Sequence, residues 1–140
     1  MTYPILGQPN TGDTAWMLAS SALVLLMTPG LAFFYGGMVR RKNVLNTLLL
    51  SFGAAAIVGV AWVVVGYSLA FAPGNDFIGG LHYLFLNTVG YNAAPFAPTI
   101  PHQAFMIYQC MLAIITAALI SGAVVERVKF KPCLMFCLLC

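Results

Sequence analysis

The chain of 140 residues is too apolar for a soluble domain, since 61% of its residues are hydrophobic and 6% are charged, against about 45–50% and about 25% in ordinary soluble proteins. A disordered chain is excluded too, because it would hold few apolar residues and a high net charge. The composition therefore predicts a membrane protein. At about 20 residues per crossing, plus connections, the length allows three or four spans.

Three apolar runs are long enough to cross a bilayer. They cover about residues 15–38, 44–71 and 104–125, without an ionisable Asp, Glu, Lys, Arg or His in their interiors. Each exceeds the roughly 20 residues that a helix needs to cross about 30 Å of hydrocarbon. A fourth run starts at Pro132 and is cut short at Cys140. We therefore expect an all-α membrane fold with three complete transmembrane helices and the start of a fourth.

The basic residues predict the orientation of these spans. All six Lys and Arg residues lie in the short segments after the first and third runs: Arg40, Arg41, Lys42, Arg127, Lys129 and Lys131. The positive-inside rule places both segments in the cytoplasm, and thus the amino terminus and the 72–101 connection outside. Such clusters beside apolar runs are typical of topology signals, so no nucleic-acid partner is expected. A cleavable signal peptide is disfavoured because residues 1–15 hold no basic residue.

Proline and glycine mark the boundaries of the predicted elements. Pro101 is well placed to precede a helix, because proline is tolerated in the first helical turn. Pro29 predicts a kink within the first span, since proline removes one backbone hydrogen bond. The connection 72–101 is rich in Pro, Gly and Asn. It is either a surface connector throughout or, over residues 81–86, a short helix on the outer face.

The cysteines and histidines do not form a convincing metal site. Cys133, Cys137 and Cys140 have a spacing that some iron–sulfur enzymes use, but they lie in an apolar run without a polar loop to orient the thiolates. Buried thiols in such a setting are inert and serve in packing. His82 and His102 have no carboxylate nearby and are interpreted as polar residues at the membrane interface. No metal and no cofactor are expected.

An enzyme is disfavoured, because only three acidic residues are present, none lies in a span, and no nucleophile–histidine pair or phosphate-binding loop is recognisable. No catalytic residue is therefore assigned. Gln109 is the polar residue that most needs a role, since an amide two turns inside a span must find a partner. It either bonds to another helix or lines a wet vestibule. Small residues at helical spacing in the third run, among them Ala118 and Gly122, predict close helix packing.

Several collinear motifs resemble one known family. The sequence GDTAW begins at Gly12, MTPGLAFFYGGMVR at Met27, GYSLAF at Gly66 and YQ at Tyr108. The motifs ALISGA and ERVKF follow from Ala118 and Glu126. Together they are similar to the ammonium transporter family (Amt/Mep, related to Rh proteins), and the likeness covers nearly the whole chain outside the 72–101 connection.

This resemblance implies an eleven-helix bundle in the inner or plasma membrane, with an outward amino terminus. Residues 1–140 would then be the amino-terminal part of a single transporter domain, ending just inside the fourth helix. The family implies a homotrimer with one pore per subunit and a cytoplasmic regulatory protein as a further partner. Its paired pore histidines lie on later helices, so His82 and His102 do not correspond to them.

The resemblance also implies roles for particular residues. Ammonium would be recruited in an outer aromatic vestibule and nitrogen carried through a narrow hydrophobic pore. Tyr108 falls on the vestibule aromatic, Gln109 on its neighbouring amide, and Leu112 on a gate position where the family normally has phenylalanine. Positions near the pore lining are Leu31, Phe34, Tyr35 and Leu119.

Two alternatives stay open at this point. Leu112 offers no ring face to a cation, which favours a receptor-like ammonium sensor that conducts weakly or not at all. A small helical membrane subunit, complete at 140 residues, is a structural alternative and predicts a natural stop codon after Cys140.

Overall fold

The computed structural model describes residues 7–75, 77–94, 96–124, 127–128 and 130–139. In this part of the chain, three helices are long and apolar enough to cross a membrane: Thr11–Met38, Arg41–Phe71 and His102–Ala123. The three predicted spans are thus confirmed as helices, and the protein has an all-helical membrane fold.

The first helix, α1, covers Thr11–Met38 and begins before the apolar run does. Asn10 caps it, because its side-chain oxygen accepts the Gly12 N–H at 2.8 Å and its carbonyl accepts the Thr14 N–H at 3.0 Å. Asparagine is among the preferred residues at this position. Pro29 lies inside α1, which continues through it to Met38.

The second span consists of three segments. After a 3-10 turn at Arg41–Asn43, helix α2 covers Val44–Ala61, a π-helical segment covers Trp62–Gly66, and helix α3 covers Tyr67–Phe71. A π-helical turn accommodates an extra residue and changes which face the following residues present. Apolar periodicity did not predict this change.

The 72–101 connection is mostly irregular. One of the two expectations for this connection was a short helix over residues 81–86. The structure has a 3-10 turn at Leu84–Leu86 instead, and Phe85 interrupts that turn with a φ of 52°. Strands β1 (Ala93–Ala94) and β2 (Ala97–Pro101) pair antiparallel, with Ala93 opposite Pro101. Helix α4 (His102–Ala123) then begins directly after Pro101, as the sequence predicted, and α5 covers Phe130–Leu139.

The described residues divide into two compact units. The first contains residues 7–23 and 63–110, and the second contains residues 24–62 and 111–139. In the first unit, the Asn10 N–H donates to the Thr99 carbonyl at 2.8 Å. Gly7 lies so close to Pro98 that a Cβ on this glycine would overlap its backbone. The amino-terminal segment and the connection therefore meet on one side of the fold.

The second unit has its core between α2 and α5, with one residue from α4. Its buried members are Leu50, Ala54, Ala117, Cys133 and Cys137. The two cysteines are 2% and 6% exposed, respectively, and the Cys137 sulfur lies 4.0 Å from the Ala117 carbonyl oxygen. They act as packing residues here, while Cys140 lies outside the described residues.

Candidate functional site

The connection sets the start of α4 through backbone contacts in the first unit. The His102 N–H donates to the Asn92 carbonyl at 3.0 Å, and the Gln103 N–H donates to the Gly90 carbonyl at 3.4 Å. The Gln103 amide also donates to the Val89 carbonyl at 3.4 Å. The first N–H groups of a helix have no partner within the helix. The connection supplies those partners and thereby positions α4.

An aromatic cluster lies where α3, α4 and the connection meet in the first unit. His102 is 5% exposed, with its ring edge-on to Tyr83 at 5.1 Å and Phe96 at 5.4 Å and tilted against Tyr67 at 5.6 Å between centroids. Phe71 packs edge-on against Phe105 at 5.2 Å. Such ring pairs contribute about 0.5–1.5 kcal/mol each beyond their buried area.

The interpretation of His102 as a polar residue at the membrane interface did not include this burial. Rings from three separate chain segments enclose it, and its Nε2 atom finds no hydrogen-bond partner among the described residues. His82 is exposed, and its ring meets Tyr83 edge-on at 5.1 Å. Within the part of the chain that the structure describes, no group of three or more His, Cys, Asp or Glu side chains could hold a metal ion.

Ser68 anchors the connection to the end of α3. Its hydroxyl donates to the Gly80 carbonyl at 2.7 Å and accepts the Tyr83 N–H at 3.1 Å. The Gly79 N–H donates to the Leu69 carbonyl at 2.8 Å. Sequence reasoning did not assign this role to Ser68. The glycine pair at 79 and 80 was the signal, since it permits the close backbone approach.

The residues assigned to the vestibule, the gate and part of the pore share one side of α4. At about 100° per residue, Tyr108, Gln109, Leu112 and Leu119 fall within an arc of about 100°. The first three are half-buried, and Leu119 is 49% exposed. The opposite side of α4 is packed, and its members are at most 7% exposed: Cys110, Ile114, Ala117 and Ser121.

Gln109 has no hydrogen-bond partner for its side-chain amide among the residues that the structure describes. The described helices therefore do not supply the interhelical hydrogen bond that was one of its two expected roles. The amide lies at the edge of the α4 arc, one residue after Tyr108.

The pore-lining candidates on α1 lie in the second unit. Leu31 and Tyr35 are half-buried, while Phe34 is 61% exposed. The rings of Phe34 and Tyr35 are 5.7 Å apart between centroids. Tyr35 lies directly on Gly122 of α4, where a Cβ would overlap its ring. The structure thus brings α1 against α4 one turn beyond Leu119, as the small-residue spacing around Gly122 predicted.

Three buried hydroxyl side chains in the spans bond to their own helices. Ser21 donates to the Met17 carbonyl at 2.7 Å, Thr47 to the Asn43 carbonyl at 3.0 Å, and Ser121 to the Ala118 carbonyl at 2.7 Å. All three donors are at most 5% exposed. Hydrogen bonding within the helix is what a hydroxyl requires where water is absent.

Thr116 makes the same kind of bond in a different setting. Its hydroxyl donates to the Leu112 carbonyl at 2.8 Å, and the residue is exposed. It follows Leu112 by four residues and therefore lies on the same side of α4. Sequence reasoning missed Thr116, although its spacing from Leu112 was a usable signal.

Comparison with known proteins agrees with the fold. The family model described as "Ammonium Transporter Family" matches residues 15–140. An ammonium transporter of Bacillus subtilis is 52% identical over 128 residues, which cover 91% of this chain and 32% of that protein. An ammonium transporter of Mycobacterium tuberculosis is 49% identical over an alignment of 150 positions, which covers 96% of this chain and 31% of that protein.

A solved structure is similar as well. The crystal structure of Candida albicans Mep2 matches with a TM-score of 0.80 and 33% identity, over 94% of this chain and 29% of that one. The chain spans about a third of the length of the curated relatives it matches. Because the family model covers most of the chain and the helices superpose on a solved relative, the chain belongs to the ammonium transporter family.

Proposed function

We propose that the protein transports ammonium or ammonia across a membrane and that α4 carries part of the substrate path. The observation that carries this proposal is the arrangement of Leu112 and Leu119 of the second unit on one side of α4, where Leu112 is half-buried and Leu119 is 49% exposed. Membership of the family and the names of the relatives support the substrate. The protein would be a transporter rather than an enzyme.

The proposed mechanism follows from the energetics of a cation near lipid. A cation over an aromatic face gains about 0.5–2 kcal/mol, so Tyr108 would attract ammonium. The Gln109 amide, which has no hydrogen-bond partner among the described residues, would replace part of the hydration shell of the cation. A charge in the middle of the bilayer costs at least about 2.5–3.5 kcal/mol. Below Leu112, we propose that the aliphatic and aromatic side chains of four residues favour passage of the neutral molecule over the charged one: Leu31, Phe34, Tyr35 and Leu119.

We also propose the wider arrangement that the family implies. The chain would be the amino-terminal part of a single transporter domain in the inner or plasma membrane, assembled as a homotrimer and contacted by a cytoplasmic regulatory protein. Arg40, Arg41 and Lys42 would lie in the cytoplasm by the positive-inside rule. The amino terminus, which contacts the connection through Asn10 and Thr99, would lie outside.

The proposed function is tested by uptake of radiolabelled methylammonium. The full reading frame that encodes this chain is expressed in cells that lack their own ammonium transporters, and surface expression is measured in parallel. We expect saturable uptake above that of cells with an empty vector. Background uptake with the protein present at the surface would contradict transport.

The gate position provides a sharper prediction. Leu112→Phe adds a ring face where ammonium is proposed to pass, so the methylammonium concentration for half-maximal uptake should fall about 2- to 30-fold, the equivalent of one cation–π contact. Leu45→Phe, at a position that is 68% exposed on α2, is the matched control and should leave uptake unchanged. Equal behaviour of the two variants would show that position 112 has no special role.

A receptor-like ammonium sensor is the second candidate, and Leu112 favours it because an aliphatic side chain stabilises a cation less than a ring does. A sensor would show an ammonium-dependent rise in melting temperature without methylammonium uptake. A signalling domain encoded in the same reading frame would also favour it. A transporter would show both the rise and the uptake.

A further inference from the structure

We propose that Thr116 is a further substrate-contacting residue, whose hydroxyl oxygen accepts an N–H from the nitrogen substrate one turn beyond Leu112. This inference rests on the proposed function, because it assumes that the side of α4 that holds Leu112 and Leu119 faces the substrate. It adds a polar contact to a stretch in which the other assigned residues, Leu112 and Leu119, are apolar.

The position of Thr116 is the first support. Thr116 follows Leu112 by four residues and precedes Leu119 by three, and residues at these intervals lie on one side of a helix. Thr116 is exposed and Leu119 is 49% exposed. A substrate that moved along this side of α4 from Leu112 to Leu119 would pass the Thr116 hydroxyl.

The hydrogen bonding of Thr116 determines what it can bind. A hydroxyl has one proton to donate and two lone pairs. The Thr116 proton is donated to the Leu112 carbonyl at 2.8 Å, so the oxygen can act toward a further group only as an acceptor. Its preferred ligand is therefore an N–H donor, and ammonium, methylammonium and ammonia all carry such groups.

Three buried hydroxyls in the spans show what a purely structural bond looks like. Ser21, Thr47 and Ser121 each donate to a carbonyl of their own helix and are at most 5% exposed. Burial closes off their remaining lone pairs. Thr116 makes the same bond but is an exposed residue, so its oxygen is the one of these four that we propose as an acceptor for a passing molecule.

The test compares two substitutions at position 116 with a matched substitution elsewhere. Thr116→Val keeps the shape and removes the oxygen, whereas Thr116→Ser keeps the oxygen. Thr47→Val removes the same type of bond from a buried position on α2. Each variant is made in the full reading frame, and methylammonium uptake is measured against concentration at fixed pH and equal surface expression.

We expect Thr116→Val to raise the concentration for half-maximal uptake about 2- to 13-fold, the worth of one hydrogen bond. Thr116→Ser should stay within twofold of the unmodified protein, and Thr47→Val should leave this concentration unchanged even if it lowers the melting temperature. An unchanged value for Thr116→Val would overturn the proposal. An equal rise in Thr116→Val and Thr47→Val would also overturn it, since the effect would then be structural.

A binding measurement separates this inference from the proposed function. Purified full-length protein is melted in ammonium chloride and in sodium chloride of equal concentration. If the unmodified protein shows no uptake, transport fails as the function, yet an ammonium-dependent rise in melting temperature that Thr116→Val loses still supports the contact. The same rise in both proteins, or no rise in either, would overturn it.

Discussion

Replacement of Gly122 by alanine is expected to destabilise the second unit by about 1–3 kcal/mol, the usual cost of forcing extra volume into a packed contact. The Cβ would overlap the ring of Tyr35, which must move away from α4. Because Tyr35 is one of the proposed pore-lining residues, methylammonium uptake should fall at least about tenfold, equivalent to about 1.4 kcal/mol. Thermal melting of the purified protein and uptake in cells measure the two effects.

Gly37→Ala is the matched control for this change. Gly37 also lies in a helix of the second unit, but apart from its own helix no described residue lies within 4 Å of the position that its Cβ would occupy. Alanine there should stabilise α1 by up to about 1 kcal/mol, because glycine is the weaker helix former. Tyr35→Ala should make Gly122→Ala nearly neutral, since the two sites are in contact. Equal melting temperatures for Gly122→Ala and Gly37→Ala would contradict the described contact.

An even larger loss of stability is expected for Gly79→Ala, at least about 3 kcal/mol. The Cβ would stand 2.6 Å from the Ser68 oxygen, 2.7 Å from the Leu69 oxygen and 2.8 Å from the Ala72 oxygen. These are backbone atoms at the end of a helix, so they cannot turn aside as a side chain can. The yield of folded protein and its melting temperature in detergent should both fall.

The control for Gly79→Ala lies in the same connection. Beyond its chain neighbours, no described residue lies within 4 Å of the position that a Cβ on Gly90 would occupy. Gly90→Ala should therefore change the free energy of unfolding by no more than about 0.5 kcal/mol, as surface substitutions usually do. If Gly79→Ala also changed the free energy of unfolding by no more than about 0.5 kcal/mol, the described contact between the connection and α3 would be contradicted.

The helices could be predicted from sequence because their signal is local. Apolar length alone identified the three spans, and the preference of proline for helix starts identified the beginning of α4 at His102. The start of α1 was placed four residues late, because its cap depends on the polar Asn10 rather than on apolar residues. The π-helical segment Trp62–Gly66 has no composition that distinguishes it from the α-helix around it.

Part of the candidate site on α4 was also predictable from sequence, because helical spacing is a local signal. Helical spacing places Tyr108, Leu112 and Leu119 on one side of α4 before any contact is known. The burial of His102 was not predictable, since its neighbours Tyr83 and Phe96 come from distant positions in an irregular connection. The small-residue pattern indicated a close approach at Gly122, but only the structure identifies Tyr35 as the residue that occupies the space.

The hydrogen bond between Asn10 and Thr99 also has a consequence for biosynthesis. Roughly 90 residues separate the two positions, which a ribosome adding about 5–20 residues per second takes about 5–18 s to synthesise. During that interval α1 and the second span are already available for insertion, while the amino-terminal segment still lacks its partner. The first unit can therefore close only after β2 has emerged, so its assembly is a late event in the synthesis of this part of the chain.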